Sequence, residues 1–213
     1  MKKILFISTR NPYSNRYSGD IIGSKKIINL LKKSNLLDVV SLDKKKDFSR
    51  KNIFIFKRPI FFSKFLHALK SLIIFKPMQL GFFYSDEMKT FINNNAMNYD
   101  IIFFYHIRSS QYLPENYHGK KIIEMGDLYS NNYHQTFRNL NILNPIKYIY
   151  FFESLLVKQL EKKIFTNFDN IILFSKNEIK KIERVFSKKI THLNISIDKI
   201  KKKYQFSKKN NKI

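Results

Sequence analysis

The chain has 213 residues, 44% of them hydrophobic, with no cysteine and a formal net charge of +24. That length holds one α/β domain with a sizeable core and is short for two, and the apolar content argues against disorder. The lack of cysteine excludes disulfides and thiolate zinc sites and fits a reducing cytosol.

The charge invites a nucleic-acid reading. The lysines, however, run along the whole chain and mix with abundant Asn, Ile and Phe, the bias of an AT-rich coding sequence. Non-specific attraction to polyanions follows from such a charge. No RNP or zinc fingerprint supports a specific nucleic-acid partner.

The opening "MKKILFIS" has an apolar run too short for a signal peptide and continues as a strand over residues 3–8. A polar loop with Pro12 and Gly19 leads to an amphipathic helix from about 20 to 33. Its apolar side is Ile21, Ile22, Ile27, Ile28, Leu30 and Leu31, with Asp20 as N-cap or first-turn acid. Strands follow at 36–42 and 52–57, separated by a charge run. Residues 59–76 read as a helix with Pro59 in its first turn. Another helix spans about 85–94.

Then comes "YDIIFFYHIRSSQYLP", where four apolar residues follow Asp100 and the run stops on His106 and Arg108. A strand this apolar belongs in a parallel sheet covered on both faces, and ligands of such sheets sit outside the strands' carboxyl ends. A fifth strand (120–125), a long helix (144–167), a strand at 169–175, a helix at 176–186 and a strand at 188–195 complete the pattern. The expectation is an α/β, Rossmann-like parallel sheet of about seven strands with helices on both faces. It forms one domain over 1–201, followed by a polar stretch, 202–213, that reads as an interdomain linker cut short.

Several segments, in order, carry a resemblance: "SGDIIGSKKIINLL", "KPMQLGFFYSDEM", "YDIIFFYHIRSSQYLP", "KKIIEMGDLYSNNYHQ", "NFDNIILFSKNEI" and "THLNISIDKI". Together they resemble the N-terminal half of family 4 glycosyltransferases, of the type that builds bacterial polysaccharides and lipid-linked glycans. The resemblance implies one half of a GT-B fold. In that fold the N-terminal domain holds the acceptor, and a C-terminal domain binds the nucleotide-sugar through a hallmark pair of glutamates. It further implies a retaining, hexosyltransferase-type reaction on a glycan or lipid-linked acceptor, needing no cofactor or metal beyond the nucleotide-sugar as substrate. Because the chain stops at Ile213, the donor-binding domain is expected to be absent and the chain inactive alone. The alternative is a non-catalytic module that pairs with a donor-binding domain in another chain.

The candidate site follows from the strand ends. In the loop after the first strand, Ser18, Gly19 and Asp20 are cleft candidates; their other reading is an ordinary turn and helix cap. No G-x-G-x-x-G is present, which argues against a tight dinucleotide site. After the fourth strand, His106 can exchange hydrogen bonds with sugar hydroxyls and Arg108 can hold a phosphate or carboxylate. The resembling family often has a histidine three positions before this arginine, where Tyr105 stands here, so His106 is one step displaced. Asp127, after Gly126, matches an acidic position of the family and also suits an N-cap. His106 and Asp127 are the candidate catalytic groups. Ser130, Tyr133 and His134 lie one or two helical turns on.

Glu153 and Glu161 stand eight apart, the spacing of the family's donor-binding pair, but within a helix of this domain. They read as helix-surface acids, Glu161 pairing with lysines. His67 reads as structural or solvated. The 59–76 helix sets Ser63, Lys64, His67, Lys70 and Ser71 against a wide aromatic face, as an interfacial helix on anionic lipid does. Lys64, Phe65, Lys70 and Phe75 are the candidate membrane contacts, with "FFYS" (82–85) as a hydrophobic rim; the alternative is a helix packed on the sheet. With no run of about 18 apolar residues to span a bilayer, the expected place is the cytoplasm, peripheral at most on the inner leaflet.

Overall fold

The computed structural model describes residues 1–16, 18–186 and 189–194, without the side chains of 183–186. The expected linker, 202–213, lies outside the described residues. Strand β1 (Lys3–Ser8) leads through helix α1 (Gly19–Lys32) to β2 (Leu36–Asp43), and β3 (Ile53–Lys57) follows. Helices α2 (Phe61–Ile73), α3 (Met78–Gly81) and α4 (Asp86–Asn95) come next, and then β4 (Ile101–Tyr105) and a 3-10 turn over Ile107–Tyr112. Strand β5 (Lys120–Gly126), helices α5 (Tyr129–Asn139) and α6 (Pro145–Asn167), β6 (Asn170–Leu173), α7 (Lys176–Phe186) and β7 (Ile190–His192) complete the order. The strands form one sheet in the order β3-β2-β1-β4-β5-β6-β7, and every pair is parallel.

Alternation along β1 divides the core. Ile4 and Phe6 face one side with Ile28 of α1, Val39 and Phe103; Leu5 and Ile7 face the other with Met88, Phe104, Val157 and Phe168. Both faces are covered, as the apolar strands require. Two aspartates just before strands close the sheet's other edge. Asp100 accepts from the Lys3 N–H at 2.8 Å and Asp169 from the Lys121 N–H at 2.7 Å, so backbone donors at the strand starts are not left unpaired.

Helix α2 begins at Phe61, so Pro59 precedes the helix rather than occupying its first turn. It packs through small residues, burying Ala68 and Ser71. Gly81 of α3 makes that approach possible: a Cβ there would lie 2.4 Å from the His67 carbonyl carbon. The large residues point outward, with Phe61 88% and Phe75 80% exposed. The core-packed alternative for this helix is therefore not realised.

The largest correction concerns Glu153 and Glu161, which are only 4% and 3% exposed. Both face inward from α6 and close the start of another helix. Glu153 accepts from the N–H groups of Met78 and Gln79 at 2.9 and 3.1 Å, and Glu161 accepts from the N–H and hydroxyl of Ser130. A carboxylate placed on unpaired N–H groups at a helix start is favoured by both hydrogen bonding and the helix dipole. Burial nevertheless raises the pKa of each. Glu161→Ala leaves two buried donors of Ser130 unpaired and should cost about 3 kcal/mol of stability, whereas Lys162→Ala beside it should stay within about 0.5 kcal/mol. Denaturant melts of the two variants check this, and equal effects would restore the surface reading.

Candidate functional site

In the strand order seen here, the connections leave the sheet in opposite directions at β1 and β4, where Ser8 lies beside Tyr105. A crevice outside the carboxyl ends of two such strands is the ligand position of open parallel sheets. One wall is the loop after β1. Ser8 Oγ donates to the Arg10 carbonyl, Arg10 forms an ion pair with Asp20 at 2.7 Å, and Ser18 Oγ donates to the other Asp20 oxygen. Asp20 is thus a first-turn acid of α1, with Ser18 at the N-cap position. Burial opposes its charge, but the bonds from Ser18 and Arg10 lower its pKa on balance.

Gly19, singled out in the sequence, faces open space, since an added Cβ meets nothing within 4 Å. The glycine that the packing demands is Gly23, where a Cβ would stand 2.5 Å from the Tyr105 hydroxyl. That hydroxyl donates to the Asp20 carbonyl at 2.9 Å and ties β4 to the start of α1.

His106 stands at the floor. The strand ends at Tyr105, and His106 has φ +66, a left-handed conformation that side-chain-bearing residues adopt at a cost. Its backbone N–H donates to the Glu124 carbonyl at 2.8 Å, while its carbonyl accepts from both the N–H and hydroxyl of Ser109. The turn swings the imidazole against the Tyr105 ring, 4.2 Å between centroids, so the one-step displacement does not send it to the far face of the sheet. Nδ1 lies 3.4 Å from the Tyr129 hydroxyl and 3.8 Å from Glu124 Oε2.

Glu124 was not among the sequence candidates. It is 0% exposed, and neither carboxyl oxygen has a hydrogen-bond partner among the described residues. Burial, reinforced by Asp127, pushes its pKa up to about 8. Burial, with the nearby Arg108 charge, pushes His106 down to about 4. At neutral pH the floor is an uncharged pair, a carboxylic acid beside an unprotonated imidazole. The signal was present in the sequence: "KKIIEMG" puts one acid in an otherwise buried apolar strand.

Arg108 follows on the 3-10 turn. Its Nε donates to Gln79 Oε1 at 3.3 Å and its guanidinium lies 4.7 Å from the Phe83 ring centroid. It has no carboxylate partner among the described residues. Asp127 is exposed beyond Gly126, whose φ is +75, and it does not cap α5: the N-cap position belongs to Leu128, whose N–H donates to Glu178. Ser130 is buried with its hydroxyl committed to Glu161, while His134 is exposed and rests near Phe137. Tyr105, His106, Arg108 and the Asp20 loop therefore converge with the unforeseen Glu124, Tyr129 and Gln79. Asp127 lies at the margin and Ser130 faces α6.

The buried pair gives stability a defined pH dependence. Glu124 binds its proton more tightly in the folded chain than in the unfolded one, so its contribution is full below about pH 4.5 and is lost as pH rises to about 8. His106 acts oppositely, destabilising as pH falls from 6.5 to about 4. Between pH 6.5 and 8 Glu124 is the member of the pair that still titrates, and its slope is roughly 1.4 kcal/mol per pH unit at most. Glu124→Gln should flatten that decline in chemical-denaturation curves, and a decline that persists in the variant would show that Glu124 is not its source.

No protein family and no curated protein matches the chain. Fourteen solved chains are similar to it. One is a sucrose-phosphate synthase from Thermosynechococcus elongatus, 12% identical, with 92% of this chain and 91% of that chain covered and a TM-score of 0.48.

Proposed function

We propose that the chain is the acceptor-side domain of a retaining, GT-B-type glycosyltransferase that works on a glycan or lipid-linked acceptor at an anionic membrane. The observation that carries this reading is the crevice at the β1–β4 switch. Its floor is made of uncharged hydrogen-bonding groups and its rim of charged ones. An uncharged imidazole and a phenol suit the hydroxyls of a sugar, which exchange hydrogen bonds without asking for a counter-charge. The ordered segments that resemble family 4 supply the reaction class. In this reading His106 and Tyr129 orient the attacking hydroxyl, Arg108 faces the anionic part of a substrate, and a second domain, in this or another chain, supplies the nucleotide-sugar.

The membrane part rests on α2. Phe61, Phe62, Phe65, Leu66, Leu69 and Ile73 form an outward apolar face on one helix, with Lys64 and Lys70 beside it. Anionic lipid is the occupant that the lysines and the chain's +24 charge complement. Phe75 adds a second clue. It takes φ +53 just after the helix, in the motif where Lys76 N–H returns to the Ser71 carbonyl and glycine is preferred. An 80% exposed aromatic in that strained position is a cost the fold itself does not need. No helix among the described residues is long and apolar enough to cross a membrane.

Two measurements test the reading. Titration calorimetry with soluble oligosaccharide acceptors should give binding that His106→Ala weakens about tenfold, or about 1.4 kcal/mol; binding indifferent to His106 would remove the crevice from the proposal. Phe75→Gly should raise stability by about 1 kcal/mol while lowering co-flotation with phosphatidylglycerol vesicles. A variant that is more stable and floats as well as the parent would leave Phe75 without a membrane role.

A further inference from the structure

Of the groups at the floor of the crevice, Glu124 is the one that the acceptor-side reading leaves without a role. It has no exposed surface, and neither carboxyl oxygen has a hydrogen-bond partner among the described residues. It therefore does not touch a ligand and has to act through a neighbour. That neighbour is His106, whose Nδ1 lies 3.8 Å from Glu124 Oε2. The distance is too long for a hydrogen bond, and a shift of roughly 1 Å closes it. The backbone fixes the approach, because the His106 N–H donates to the Glu124 carbonyl at 2.8 Å and the residue sits in its left-handed turn at that point.

The proton count decides which group donates. A lone carboxylate buried without hydrogen bonds is costly, so Glu124 keeps its proton, and that proton needs an acceptor. His106 is uncharged at neutral pH and carries one proton on one of its two nitrogens. With that proton on Nδ1, the Glu124 hydroxyl is left buried and unpaired. With it on Nε2, the Nδ1 lone pair is free for the acid. Tyr129 also reaches Nδ1, its hydroxyl at 3.4 Å, but Tyr129 is only partly buried and can turn to water or a ligand. Glu124 has no such outlet. Nδ1 faces these two groups, whereas Nε2 makes no hydrogen bond among the described residues and the side chain keeps 23% of its surface exposed.

We infer that Glu124 is a positioning residue: its carboxyl donates to His106 Nδ1, commits the imidazole's own proton to Nε2, and so presents His106 to the crevice as a hydrogen-bond donor. The inference rests on the acceptor-side reading only for what that donor meets. There His106 holds a sugar oxygen and does not take the attacking hydroxyl's proton, since Nε2 has no free lone pair. The assignment reverses when Glu124 ionises. A carboxylate only accepts, so Nδ1 then carries the proton and Nε2 becomes the acceptor. Burial, reinforced by Asp127, which feels the Glu178 charge in turn, sets that change at about pH 8. The other ionisable groups around the pair are Tyr105, Tyr129, Arg108, and Arg10 with Asp20. The phenols are pushed up from their usual range, Asp20 is held down, and arginine keeps its charge, so none of these follows Glu124 through its titration.

Imidazole nitrogen NMR on the chain without any sugar tests this, the His106 signals being those that disappear in His106→Asn. At pH 6.5 the proton should sit on Nε2, and at about pH 9, past the Glu124 midpoint of about 8, on Nδ1, so that the two nitrogens exchange their chemical shifts. Glu124→Gln, close in volume, has no proton to lose and should keep one tautomer at both pH values. Tyr129→Phe should leave the exchange intact. One unchanging tautomer in the parent chain, an exchange that survives in Glu124→Gln, or one abolished by Tyr129→Phe would each overturn the proposal. The first of these comparisons needs no variant of Glu124 and so does not depend on how well one folds. Acceptor binding with an unchanging His106 tautomer would keep the acceptor-side reading and remove this inference, and the exchange without acceptor binding would do the reverse.

Discussion

Parallel pairing of β1 with β4 decides where chemistry can occur in this chain. Strands that are apolar on both faces exclude charged groups from the middle of the sheet. The connections diverge at this pair, so the space above Ser8 and Tyr105 is not roofed by a crossover of its own. The buried polar side chains that the strands carry, Ser8, Ser41 and Glu124, accordingly lie toward their carboxyl ends. At the amino end, Asp100 and Asp169 accept from backbone donors, and Asp100 also pairs with Lys2. At the carboxyl end, the oxygens of Glu124 have no hydrogen-bond partner among the described residues. That asymmetry distinguishes the two ends of the sheet on grounds of hydrogen bonding alone.

The same accounting explains what could be read in the sequence and what could not. Strand positions were legible because uninterrupted apolar runs allow little else, and the aspartate before "IIFF" marked a strand start. Glu153 and Glu161 were misread because their lysine-rich neighbours mimic a solvated helix face. Their true partners, Met78 and Ser130, lie 75 and 31 residues away, and no local pattern announces a helix capped at that range. Asp127 lost its expected capping position for the same reason, since acids from α6 and α7 reach the start of α5 first. Gly19 drew notice by its place before a helix, while Gly23, inside the helix, is the one a tyrosine hydroxyl presses on.

Glu124 was legible and was passed over. A lone acid in a buried strand has to be paired, protonated or put to use. Here it is unpaired by hydrogen bonds, and burial keeps it protonated. Its neighbour His106 is held in a left-handed turn by three hydrogen bonds to its backbone, one of them from the Ser109 hydroxyl, which fixes its main chain beside β5. Strain in the backbone and an unspent carboxyl meet at one point, and both are costs that packing would have removed had it been free to do so.

The orientation of α2 follows a related logic. A helix with one wide apolar face normally turns it inward. This one buries Ala68 and Ser71, and its backbone at His67 and Ala68 lies so close to Gly81 that the large residues have no room on the inner side. Small residues at the seat and aromatic ones at the surface are a matched arrangement, because either alone would let the helix roll its phenylalanines toward the sheet. Glu153 braces the same assembly from the other side by holding the first turn of α3, on which α2 rests. The buried carboxylate of α6 thus helps set the direction in which the apolar face of α2 points. A loss at Glu153 would loosen that face and the Gln79 backbone together, since the Gln79 N–H makes one of those two hydrogen bonds.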